Sequence, residues 1–146
     1  MTTGSQSDDG DCLFCAIVHA GAPSFRVLST EHVVAFLDVR PLFPGHVLVV
    51  PRQHVATLED LPDRLVGPLF RAVREVTGAV RTGLGAGGAF VATNNRVSQS
   101  VAHLHVHVVP RTKGDGLRGF FWPRRRYADD AEATSYAARI SAALPD

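Results

Sequence analysis

The stretch His103-Leu104-His105-Val106-His107-Val108-Val109 decides how this chain is read. Side chains along an extended strand alternate between two faces, so His103, His105 and His107 share one side and Leu104, Val106 and Val108 share the other. The β-branched valines and the absence of glycine favour a strand over a helix. One face can therefore be buried while the other presents three adjacent imidazoles. Each of these is able to act as nucleophile, base or metal ligand near neutral pH.

Working outward, Glu31 to Val39 reads as a strand, and His46 to Val50 as a second one that Pro51 ends; a Pro41, Pro44 and Gly45 turn joins them in a hairpin. Leu61, Leu65, Leu69, Val73, Val76 and Val80 recur at spacings of three and four and predict an amphipathic helix, with Asp60 capping its start and Gly83 its end. Pro68 removes one backbone donor from that helix, which predicts either a kink or a short first turn before a main helix from about Gly67. Ala89 to Thr93 is a further strand, Asn94 to Ser98 a loop, and Asp129 to Leu144 a terminal helix. The expectation is an α+β domain, an antiparallel sheet of about five strands with the main helix and the C-terminal helix packed on it.

At 146 residues, with 45% apolar and 20% charged residues, one domain with an ordinary core is expected over residues 12–146. Residues 1–11 are polar and acidic and are expected to be disordered, with no secretory signal pattern. No apolar run is long enough to span a bilayer. These features predict a soluble cytoplasmic protein, and a net charge of +1 selects no partner. Cys12 and Cys15, the only cysteines, form a CxxC pair. A thioredoxin-like redox pair would follow an apolar strand, and none precedes Cys12. The pair reads instead as half of a tetrahedral zinc site that needs two more ligands.

Several of these segments together resemble the histidine triad (HIT) family, in its zinc-containing branch. The triad run is flanked by Gln99-Ser100-Val101 and by Pro110-Arg111. Upstream stand Cys12-Leu13-Phe14-Cys15-Ala16-Ile17, Ala35-Phe36-Leu37-Asp38 and Pro44-Gly45-His46-Val47-Leu48-Val49-Val50-Pro51-Arg52, followed by Gln53-His54. The resemblance spans residues 12 to 111. It implies a nucleotide hydrolase or transferase acting at the α-phosphate of an adenine or guanine nucleotide, a dinucleoside polyphosphate or a nucleoside phosphoramidate. His105, as the middle histidine, would form a nucleotidyl-histidine that water hydrolyses. His107 would support the phosphate, and His46 would orient the others. The resemblance also implies a structural Zn²⁺ on Cys12, Cys15, His54 and His103, with His46 the chief competing ligand. A homodimer whose sheets join across a two-fold is implied as well.

For the nucleotide, Asp38 matches a residue that holds ribose hydroxyls, and its alternative is an ordinary turn aspartate. Gln99 and Ser100 match contacts to phosphate or leaving group, and Asn94 or Asn95 matches an asparagine of the same loop. The family loop carries glycines, whereas Asn94-Asn95-Arg96-Val97-Ser98-Gln99 is shorter and has none; Arg96 is a candidate to supply the missing charge. From Arg111 to Arg126 six basic residues face one acid, with Phe120, Phe121 and Trp122 among them. This segment is read as a solvated tail or as an electropositive lid over a polyphosphate, and not as a nucleic-acid or membrane surface. Two other function classes stay open, a metalloenzyme using the HxHxH face and a non-catalytic nucleotide-binding module.

Overall fold

A computed structural model of the chain describes residues 11–118 and 124–145. The expectation of disorder for residues 1–11 falls outside these, Asp11 apart, as do the aromatics Phe120, Phe121 and Trp122. Residues up to Asp115 form one compact unit, and those from Gly116 form a second one.

The first unit is built on five antiparallel strands: β1 (Arg26–Ser29), β2 (Val33–Leu37), β3 (Val47–Pro51), β4 (Gly88–Ala92) and β5 (Val106–Arg111). Their order across the sheet is β1-β2-β3-β5-β4. Helix α1 (Leu13–Val18) precedes the sheet, and α2 (Asp63–Leu84) connects its halves. Val33, Ala35, Val47, Val49, Val106 and Val108 pack with Leu65, Leu69, Val73 and Val76 of α2. The alternate residues Val34, Phe36, Leu48 and Val50 pack with Phe14, Ile17 and Val18 of α1. With both faces covered, Val33–Leu37 and Val47–Pro51 are continuous apolar runs, as a doubly buried strand requires. Sequence reading did not anticipate α1 on the second face, because six residues are too few for a helical period to show. Nor did it anticipate β1, an edge strand with one half-buried residue among four.

The main helix is continuous through Pro68, which stands near its start where the carbonyl left without a donor is that of exposed Arg64. Its boundaries differ from the expected ones. Pro62 is the N-cap, while Asp60 closes a 3-10 turn (Leu58–Asp60) and accepts from the Thr57 hydroxyl at 2.7 Å. Helix α2 ends at Gly85, not at Gly83, because the left-handed cap (φ +66°) falls there. The histidine run is also shorter as a strand than expected. β5 begins at Val106, since the Leu104 N–H bonds the Val55 carbonyl and the His105 carbonyl accepts from the Thr93 hydroxyl, which leaves no ladder partners for residues 103–105. The alternation survives: Leu104, Val106 and Val108 lie together in the core on the α2 side.

The second unit contains α3 (Asp130–Ala142), capped by Asp129 and without a buried residue. The expected C-terminal helix is thus formed. Among the described residues, no helix is long and apolar enough to cross a membrane.

Helix α1 ends in a Schellman turn, with Gly21 N–H on the Ala16 carbonyl at 2.8 Å and Ala20 N–H on that of Ile17 at 3.0 Å. The left-handed residue of that turn is Ala20 (φ +60°), one position before the available glycine. Ala20→Gly is therefore expected to stabilise the protein by about 1 kcal/mol, a rise of roughly 2–4 °C in a thermal melt. An unchanged or lower Tm would count against this geometry.

Candidate functional site: a buried imidazole chain beside a thiol–imidazole cluster

Helix α1 begins at Cys12, whose Sγ accepts the Cys15 N–H at 3.4 Å, so one helical turn brings both thiols together. Arg26 of β1 holds the other end of the helix, donating to the Ile17 and Val18 carbonyls. Across from the thiols stand His54, just beyond β3, and His103. Cys15 Sγ lies 3.2 Å from His54 Nδ1 and 3.4 Å from His103 Nδ1, and Cys12 Sγ lies 3.4 Å from the same His103 atom. All four donor atoms fall within 4.8 Å of one another. A tetrahedral zinc ion with ordinary Zn–S and Zn–N bonds has S···N edges of about 3.5 Å. The donor set and its spacing thus fit a closed, four-ligand metal centre. His103 Nε2 donates to the Pro51 carbonyl at 2.9 Å, which leaves Nδ1 with its lone pair toward the thiols.

The remaining imidazoles are assigned in the same manner. His105 is buried, and its Nδ1 sits 2.7 Å from the His103 carbonyl, so Nδ1–H donates and Nε2 keeps the lone pair. His46 Nδ1 accepts the Leu42 N–H at 3.1 Å, so its proton is on Nε2. That proton is donated to His107 Nδ1 at 2.9 Å, and the His107 proton is in turn on Nε2. The His105 and His107 rings meet edge to face, with centroids 5.0 Å apart. Phe14 meets His105 and His103 in T-shaped contacts, with ring centroids 5.0 Å and 6.0 Å apart.

Asp38, His46 and His107 also bring three donor atoms together. Hydrogen bonding argues against a metal there. A metal on His46 Nε2 would force the proton onto Nδ1, where the Leu42 N–H already donates. His46 stands with Asp38 and His107 in the imidazole chain, and the donor atoms that gather around Cys12 and Cys15 are those of His54 and His103.

A cavity of about 390 Å³ opens on this face, lined by the apolar Phe14, Ile17, Phe36 and Leu48 and by the polar His105, His107, Ser100 and Asp38. Its size and its few convergent polar groups suit a small organic ligand. A second cavity of about 400 Å³, lined by Cys12 and His54 of the four-donor cluster, shares Leu13, Ser100 and Val101 with it. Asp38 keeps both readings: Oδ1 accepts the Arg40 N–H in a turn, while Oδ2 faces His46 Nε2 at 3.8 Å. Asn94 and Asn95 are exposed and do not line the first cavity; Asn95 and Gln99 are instead bonded to the segment after β3. His19 is exposed and His32 stands 3.8 Å from Glu31, as expected of surface histidines. Sequence reasoning missed Phe14 as the wall of both centres and the backbone groups of Leu42, Pro51 and His103 that assign the tautomers. No side-chain pattern announces the latter.

Burial, and then the neighbouring His105 and His46, push His107 down to about 4 against the opposing pull of Asp38; burial lowers His46 as well. The unfolded chain, at the ordinary 6.5, takes up a proton first as pH falls. Stability contributed by neutral His107 is therefore complete above pH 6.5 and is lost as pH drops toward 4. His107→Gln should flatten the fall of stability with pH over this window, by at most about 1.4 kcal/mol per pH unit. Parallel denaturation curves for variant and wild type at each pH would contradict the assignment.

A model described as the HIT domain matches residues 20–114. "Protein hit" of Bacillus subtilis is 38% identical over 123 residues, which cover 82% of this chain and 83% of the relative. An adenosine 5'-monophosphoramidase of Candida albicans is 31% identical over 131 residues, covering 86% and 82%. The crystal structure of a zinc-bound histidine triad family protein from Mycobacterium smegmatis superposes with a TM-score of 0.71 at 34% identity, covering 93% of this chain and 99% of that one. With the antiparallel sheet, the three spaced histidines and the matched length in agreement, this chain belongs to the HIT domain family.

Proposed function

We propose that the protein hydrolyses or transfers at the α-phosphate of a nucleotide, with His105 Nε2 as nucleophile. One observation carries this reading: the His103 carbonyl holds the His105 Nδ1 proton at 2.7 Å, which leaves an unprotonated Nε2 on a residue lining the cavity. Attack forms an N–P bond while the bond from phosphorus to the leaving group breaks, its electron pair departing with that group. The positive charge that develops on the ring is stabilised through Nδ1–H by the same carbonyl. The His107 Nε2–H, backed by His46, hydrogen-bonds a phosphate oxygen, and Ser100 contacts the phosphate or leaving group. Water then attacks phosphorus and returns the electron pair to Nε2. Over the cycle the water hydroxyl ends on phosphorus and its proton on the leaving group.

The apolar lining residues Phe14, Phe36 and Leu48 suit a purine, and Asp38 among the polar ones suits a ribose diol. The name of the Candida albicans relative supports a nucleoside phosphoramidate as substrate. Cys12, Cys15, His54 and His103 would hold zinc, which supplies a cross-link between α1, the end of β3 and the histidine run, with no open position for chemistry. A homodimer completes the reading, supported by the exposed Val91 on edge strand β4 and the exposed Val66 and Phe70 on α2.

The test is to incubate the metal-quantified protein with nucleotides labelled at the α-phosphate and to quench in base, which preserves phosphohistidine. Acid-labile label on wild type, absent from a His105 variant, is expected. Turnover without any trapped label would favour direct attack by water. Tight nucleotide binding with neither label nor turnover would leave a binding module.

A further inference from the structure

The loop Asn94–Gln99 does with ordinary residues what glycine usually does. Val97 N–H bonds the Asn95 carbonyl at 2.8 Å across Arg96, whose φ is +71°, and Ser98 has φ +60°. L-residues disfavour both conformations, so a loop left to itself would relax out of them. Among the described residues, every polar contact that opposes this relaxation from outside the loop comes from the segment that follows His54. Asn95 Oδ1 accepts the Leu58 N–H at 2.7 Å. The Gln99 amide accepts the Arg96 N–H at 3.0 Å and donates to the Ala56 carbonyl at 2.6 Å. Arg96 Nε pairs with Glu59 at 3.2 Å. One residue earlier, the Val55 carbonyl takes the Leu104 N–H at 2.7 Å, and His54 itself is in the thiol–imidazole cluster.

We infer that residues 54–59 form a strut that holds the loop in its strained shape, and that Asn95 and Gln99 are positioning residues acting through it, not contacts to the nucleotide. Their object is Ser100, the next residue along and a common wall of both cavities. The inference rests on the proposed function for its catalytic consequence only; the strut itself is a property of the ligand-free chain.

The experiment follows amide hydrogen exchange over residues 96–101 in the metal-loaded, nucleotide-free protein, together with kcat and KM on adenosine 5'-phosphoramidate. Gln99→Ala and Asn95→Ala are expected to raise exchange by about tenfold, the effect of one lost hydrogen bond in a locally opening segment. They should lower kcat more than they change KM. Asn95→Asp keeps the acceptor for Leu58 N–H and is expected to rescue both losses relative to Asn95→Ala. Unchanged exchange in the two alanine variants would overturn the strut. So would an Asn95→Asp protein with exchange restored but turnover as low as in Asn95→Ala, since that requires the amide N–H₂ to contact substrate. If wild type turns over no nucleotide, the catalytic reading fails, while the exchange comparison still decides the strut.

Discussion

His105→Asn is expected to lower turnover at the α-phosphate by at least about a thousandfold, the usual scale for removing a covalent nucleophile. Asparagine is the informative replacement because its amide can still donate to the His103 carbonyl, the contact that the Nδ1–H makes in wild type at 2.7 Å. The variant should hold as much metal as wild type and melt within a few degrees of it, since His105 lies outside the four-donor cluster. Residual activity within tenfold of wild type would remove His105 from the mechanism. A large drop in metal content would mean that the loss is structural and says nothing about chemistry.

Cys15→Ser should behave in the opposite manner. Cys15 is almost fully buried and touches both histidines of the cluster, so the variant keeps the shape of the side chain but removes the sulfur that lies between them. A structural metal contributes folding free energy directly. Loss of this one is expected to cost roughly 3–5 kcal/mol, near 10 °C in Tm, with metal content falling well below one per chain. Kinetic damage would follow from the disturbed path of residues 103–105. Chelation of wild type should reproduce the same drop. Retained stoichiometry and an unchanged melt would refute the metal assignment.

Much of this was legible in the order of residues. The period-two run of histidines and valines placed the imidazoles on one face, and the two parts of β3 and β2 read as a hairpin because proline and glycine separate two apolar runs. Helix α2 was visible from its three-and-four spacing, although its caps were displaced by two residues at each end. What stayed hidden has a common physical character. The pairing of β5 stops at Val106 because backbone groups of residues 103–105 are taken by Val55, Thr93 and a histidine ring, and no local pattern encodes partners so distant. The glycine-free loop looked like a departure from the family pattern. Its backbone keeps the left-handed turns at Arg96 and Ser98, held by a segment some forty residues away. Resemblance carried His54 and His103 to Cys12 and Cys15; spacing alone could not have chosen them over His46.

Three of the four imidazoles take their polarity directly from the main chain: Leu42 N–H for His46, the Pro51 carbonyl for His103, the His103 carbonyl for His105; His107 takes its own from His46. Every residue carries a main-chain carbonyl and every residue but proline an N–H, so drift in the surrounding side chains leaves the direction in which these protons point unchanged. The same fact sets a condition on transplanting it. Four histidines grafted at matching positions on another scaffold would share the inventory but not the wiring, unless the trace of those three carbonyl and amide groups were copied with them.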